Sequence, residues 1–138
     1  MQLFSSLHAY GDLGLLALRV GVGSIFLAHG LAKKASWKMQ PSEQMPAKMI
    51  KLMRLLSVCE PLGAVGVLTG SLTQLAAACL AVIMVGAINM KMKVWKKKFY
   101  DQEKHDGWEL DFMILCGCAA LFVMGAGAWS VDRLLFRI

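Results

Sequence analysis

Four apolar stretches alternate with charged segments along the chain. Residues 13–32 have only Arg19 and His29 as strongly polar members, and about twenty such residues suit one crossing of a bilayer core about 30 Å thick. Residues 55–72 are interrupted by Glu60 and Pro61, and residues 75–92 are free of charge up to Asn89 and Lys91. Residues 110–129 open with Asp111 and close in Gly125, Gly127 and Trp129. The pattern predicts an all-α integral membrane four-helix bundle, built as a single domain over residues 1–138. Met1–Asp12 has no Lys or Arg, and the first stretch exceeds a typical signal core, so it reads as a retained helix rather than a cleaved leader.

Charge orients the four helices. Of 15 basic residues, Lys33, Lys34, Lys38, Lys48, Lys51 and Arg54 fall between the first and second stretches. Lys91, Lys93, Lys96, Lys97, Lys98 and Lys104 lie around the segment between the third and fourth, and only Arg133 and Arg137 follow the last. The positive-inside rule puts both basic loops in the cytoplasm and both termini outside. All four Trp (Trp37, Trp95, Trp108, Trp129) and both Tyr (Tyr10, Tyr100) fall at or beyond the ends of the apolar segments, the headgroup level that amphipathic rings favour.

Composition agrees. The 138 residues are 57% hydrophobic and 17% charged, with mean hydropathy +0.55, against about 45–50% and 25% in soluble domains. The net charge of +6 belongs to the two loops, so the Lys-Met-Lys-Val-Trp-Lys-Lys-Lys run from Lys91 reads as an anchor on anionic lipid, and nucleic acid is not expected as a partner. No phosphate-binding glycine loop and no zinc spacing is present.

Polar residues inside the spans need a reason, since each costs about 2.5–3.5 kcal/mol at a helix centre. Side chains lean toward a helix's N-terminus, so His29 and Glu60, on oppositely directed helices, can meet at one depth near the cytoplasmic side. A His beside a buried carboxylate could relay protons or bind a quinone carbonyl; equally, the two could only satisfy each other. Asn89 and Glu109 then line the entrance. Pro61 frees the Ser57 carbonyl and should bend or open the second helix. Arg19 lies near the outer end, where Asp12 and Asp132 are candidate partners in a structural ion pair, with an anion or substrate contact as the alternative.

Cys116 and Cys118, two apart on a helix, point away from each other. With Cys59 and Cys79 they read as small apolar core residues rather than a redox pair. Ala17, Gly21, Gly63, Gly66 and Gly70 mark close helix contacts, within one bundle or between protomers of a homo-oligomer.

The residues also carry a resemblance. The run Arg19–Lys33, with its Arg early and its His-Gly followed by Lys, resembles the first helix of the DoxX family of small membrane proteins. Cys59–Gly70, a Glu before a Gly-rich run, resembles that family's second helix, and Gly125–Leu135 its closing signature of Gly-x-Gly, an aromatic, Ser, an apolar residue and Asp. Two departures stand out: Ala128 sits where a basic residue is frequent, and Pro61 follows the Glu. The resemblance implies a four-helix bundle in a bacterial cytoplasmic (inner) membrane, with Arg19, His29, Glu60, Glu109, Ser130 and Asp132 at recurrent polar positions. It also implies relatives that include a small subunit of a thiosulfate:quinone oxidoreductase, catechol- and quinone-stress proteins and a component of membrane oxidoreductase complexes.

The leading expectation is therefore a binder of a quinone-like or other small redox-active molecule, acting as a subunit of a membrane oxidoreductase system. His29 and Glu60 would carry the site, with no metal and no cofactor motif in the chain. A non-enzymatic scaffold or assembly partner, and a small-solute carrier, are the alternatives.

Overall fold

The computed structural model describes residues 9–43, 45–100 and 107–136. Lys104 and Arg137, part of the charge pattern, lie outside the described residues. Helix α1 (Gly11–Ala32) runs into a 3-10 helix at Lys33–Lys38; α2 (Ala47–Thr69), α3 (Thr73–Lys93), α4 (Glu109–Met124) and the short α5 (Val131–Phe136) follow. Among the described residues there are no strands.

Three helices are long and apolar enough to cross a membrane: Gly11–Lys38 with its 3-10 extension, Ala47–Thr69 and Thr73–Lys93. The fourth is shorter than the expected span over 110–129. It stops at Met124 after 16 residues, about 24 Å, because Gly125 at φ +77° and Gly127 at φ +75° turn the chain into a loop. The second helix starts at Ala47, two turns before the apolar stretch at residue 55. It continues unbroken through Pro61, so of the expected bend or opening there, the opening does not occur.

The bundle is polar within and apolar without. Arg19 and Glu60 are each 1% exposed, whereas Val82, Leu62 and Val123 are 72%, 68% and 77% exposed. In water that distribution would waste apolar burial; in lipid it is the stable one, because the outer face meets hydrocarbon and polar groups find partners inside. The apolar core between helices is Val22, Phe26, Ala64, Val67, Ala77, Leu80, Ile114, Cys118 and Leu121, with Met84.

Helix α1 packs chiefly on α2, and α3 chiefly on α4. Glycine sets the closest approaches: a Cβ on Gly63 would fall 2.8 Å from Leu80 of α3, and one on Gly117 would fall 2.9 Å from Val22 of α1. Pro61 has a packing role, since Gly30 leaves space for its ring between α1 and α2. The expected contacts at Gly63, Gly66 and Gly70 are made, but a Cβ on Gly21 would touch nothing within 4 Å. Of the cysteines only Cys118 is in the core; Cys59, Cys79 and Cys116 are exposed on the outer face, and all four are free thiols. The core expectation is thus corrected for three of them, whose helical positions point toward lipid.

Candidate functional site

The two ends of the bundle are built differently. At the basic-loop end, Lys33 Nζ lies 2.8 and 2.5 Å from the two carboxylate oxygens of Glu60. The buried face of α1 follows Arg19, Val22, Gly23, Phe26 and Gly30; at 100° per residue His29 lies about 80° off its centre, whereas Lys33 is only about 40° off. His29 is accordingly exposed, and Lys33 takes the place expected for it at Glu60.

Asn89 is on the opposite side of α3 from the buried Thr73, Ala77, Leu80 and Met84, exposed, with its amide nitrogen donating to the Val85 carbonyl of its own helix. Glu109 starts α4, its N–H donating to the Phe99 carbonyl at 3.1 Å. Nearby, Lys91 pairs with Asp111 at 2.5 Å and donates to the Gly107 carbonyl at 2.9 Å. The four residues expected to share one site are therefore dispersed: Glu60 is neutralised, and His29 and Asn89 face outward.

The end carrying α5 and the start of α1 is the more organised. Arg19 projects from α1 and donates through Nε to the Val67 carbonyl at 2.8 Å and through Nη2 to Leu68 at 2.8 Å. Its Nη1 donates to Ala126 at 3.0 Å and to Trp129 at 2.6 Å. A cation at the last turn of α2 also complements the helix dipole. This corrects the ion-pair expectation: among the described residues Arg19 has no carboxylate within salt-bridge range, because carbonyls of a helix end and a loop surround it first.

The two aspartates serve backbone donors instead. Asp12 accepts from the Ala128 N–H at 2.8 Å, tying the start of α1 to the α4–α5 loop. Asp132 accepts from the N–H groups of Leu72 at 2.6 Å and Thr73 at 2.9 Å, supplying acceptors for the otherwise unpaired first amides of α3. Its own N–H donates to the Gly70 carbonyl at 2.8 Å, so α5 and the α2–α3 turn grip each other in both directions. Partial burial pushes the Asp132 carboxyl up, but the amides of Thr73 and Leu72, the Thr73 hydroxyl and the positive field of Arg19 outweigh it and hold it below the usual carboxylate range.

Gly70 makes this arrangement fit. It closes α2 in the left-handed conformation, φ +72°, and a Cβ there would stand 2.6 Å from both Arg19 Nη2 and Ser130 Cβ. Ser130 is buried and donates to the Gly127 carbonyl at 2.7 Å.

Beside this cluster opens a cleft of about 690 Å³. Its wall is apolar at Leu72, Leu75 and Met124 and polar at Thr73, Gln74 and Arg133. The sequence signals for it were the paired Gly125 and Gly127 and the Ser130-x-Asp132 that follows. Among the described residues no cluster of His, Cys, Asp and Glu could hold a metal ion.

The DoxX family pattern matches residues 14–93, a stretch that includes Arg19, Glu60 and Gly70. The chain is 32% identical, over 95% of its length and 86% of the relative's, to a Mycobacterium tuberculosis protein described as an uncharacterized membrane protein. No solved structure matches. Three membrane-length helices around a buried Arg and Glu, together with the family match across α1 to α3, make this chain a multi-pass membrane protein that belongs to the DoxX family.

Proposed function

We propose that this protein binds a small amphipathic molecule of the quinone type, with a carbonyl head and an apolar body, and that it does so in the cleft at the α5 end rather than at the basic-loop end. The observation that carries the reading is the mixed lining of the cleft, which combines Leu72, Leu75 and Met124 with Thr73, Gln74 and Arg133. Small-molecule sites are mostly apolar with a few placed polar groups. Arg133 is exposed and supplies guanidinium donors; Gln74 donates to the Phe122 carbonyl and retains a second amide hydrogen. The Arg19 network fixes the floor, so the polar groups are held before a ligand arrives.

A redox role follows if a partner subunit delivers electrons to the bound molecule, which is the sense in which the chain is a candidate subunit of an oxidoreductase system of a bacterial cytoplasmic membrane. The scaffold reading has one observation in its favour: Arg19, Asp12 and Asp132 are all engaged within the fold.

Quantifying quinone in organic extracts of the detergent-purified protein, and titrating a short-chain quinone into it, separates the two. Binding is expected, weakened about tenfold by Arg133→Gln, as one lost hydrogen bond predicts, and unchanged by His29→Ala. Folded protein that neither carries nor takes up quinone would assign the chain to the scaffold.

A further inference from the structure

The basic-loop end has a second feature that the proposed cleft leaves unused. The 3-10 helix Lys33–Lys38 is pinned to α2 rather than hanging as a free tail. Trp37 Nε1 donates to Ser57 Oγ at 2.9 Å, and Ser57 Oγ donates to the Arg54 carbonyl at 2.7 Å. Arg54 Nε reaches the Ser36 carbonyl and Nη2 the Met39 carbonyl, both at 3.2 Å. The Arg54 guanidinium also lies 5.8 Å from the Trp37 ring centroid.

On the two elements so joined, Lys34 and Lys38 of the 3-10 helix and Lys48 and Lys51 of α2 are exposed. The segment from 33 to 54 holds six basic residues against Glu43 alone. Trp37 itself is 59% exposed, its indole nitrogen turned inward and occupied.

We propose that this surface is a preorganised docking site for an anionic phospholipid headgroup. The charge complements a phosphodiester, the end of α1 sets the surface at the level where its apolar helix stops, and the exposed indole suits the boundary between acyl chain and headgroup. A diffuse polybasic attraction needs only the lysines. A built site also needs the Trp37–Ser57 anchor, because that bond fixes the ring and the 3-10 helix against α2.

The test uses the full chain in nanodiscs or mild detergent, with phosphatidylglycerol against phosphatidylcholine, and bound lipid counted by native mass spectrometry. The wild type is expected to retain phosphatidylglycerol preferentially. Lys34→Gln with Lys38→Gln should lower that preference, by up to about fivefold per lysine at low salt. Ser57→Ala leaves the charge untouched and should lower the preference at least threefold. Circular dichroism and monodisperse elution confirm that each variant is folded.

Full selectivity in the Ser57→Ala protein overturns the built site even where the lysine variants lose binding. No phosphatidylglycerol preference in the wild type overturns the proposal outright. Displacement of the lipid by polyglutamate, without a difference between the two lipids, reassigns the surface to an acidic protein partner.

Discussion

Lys33 and Glu60 form an ion pair across the α1–α2 interface, with the carboxylate 1% and the ammonium 23% exposed. The lysine approaches from the end of α1 and neutralises a charge that α2 would otherwise bury alone. Removing one partner of such a pair strands the other, whereas removing both need not. Lys33→Met should therefore destabilise the bundle by about 3 kcal/mol, and Lys33→Met with Glu60→Gln by clearly less. Reversible unfolding of the detergent-solubilised protein measures both; equal losses in the two variants would remove the ion pair from the account.

Arg19 offers a second case in which geometry matters more than charge. Arg19→Lys keeps the charge but cannot reach four carbonyls on two segments at once. The Val67, Leu68, Ala126 and Trp129 carbonyls accept from Arg19, and buried acceptors left unpaired cost about 1–3 kcal/mol each. The thermal midpoint of Arg19→Lys should fall well below that of the wild type, and quinone binding should weaken with it as the cleft floor loosens. A lysine variant as stable as the wild type would show that the charge alone suffices.

Gly70 and Gly21 give a paired comparison. Gly70→Ala combines a left-handed backbone, worth about 1–2 kcal/mol against a Cβ, with contacts of 2.6 Å to Arg19 and Ser130. Gly21→Ala meets open space and should be neutral or slightly stabilising, as expected for Gly to Ala within a helix. Melting curves in one detergent compare them, and a Gly21→Ala protein that loses stability would place that face of α1 in a contact between protomers.

Asp132 predicts a pH dependence. Its carboxyl is held below its ordinary value of 3.8 by the α3 amides and Arg19, against the opposing effect of burial. A group with a depressed native pKa stabilises fully above its unfolded value, and the contribution fades as pH falls through the lower native value. Asp132→Asn should cost about 1 kcal/mol at pH 7, as for loss of a helix-terminal acceptor, and should flatten the loss of stability below about pH 4. Melts from pH 7 to pH 2.5 check this; an unchanged acid limb in the variant would exclude Asp132 as its source.

Orientation is testable without a purified protein. With twelve of 15 basic residues around two loops at one end, a reporter fused after residue 138 should read as external and one inserted near residue 43 as cytoplasmic. The reverse pattern would exchange the sides assigned to the cleft and the lysine surface.

The sequence by itself determined the membrane-spanning character and the end-to-end charge asymmetry, because hydropathy and charge are local properties that lipid and water sort directly. Arg19 and Glu60 were legible as costly polar positions, and Asp132 as a candidate partner of Arg19, from the sequence alone. Their partners were not. The angular offset of His29 on α1, the turn at Gly125 that shortens α4, and the rival carbonyls around Arg19 depend on how helices rotate and where loops fold back. Hydrophobic periodicity is faint when lipid covers one face of each helix and apolar side chains fill the other, so it cannot fix that rotation. Only the tertiary structure gave Glu60 to Lys33 and Arg19 to four carbonyls, through glycine-permitted approaches that one-dimensional spacing does not encode.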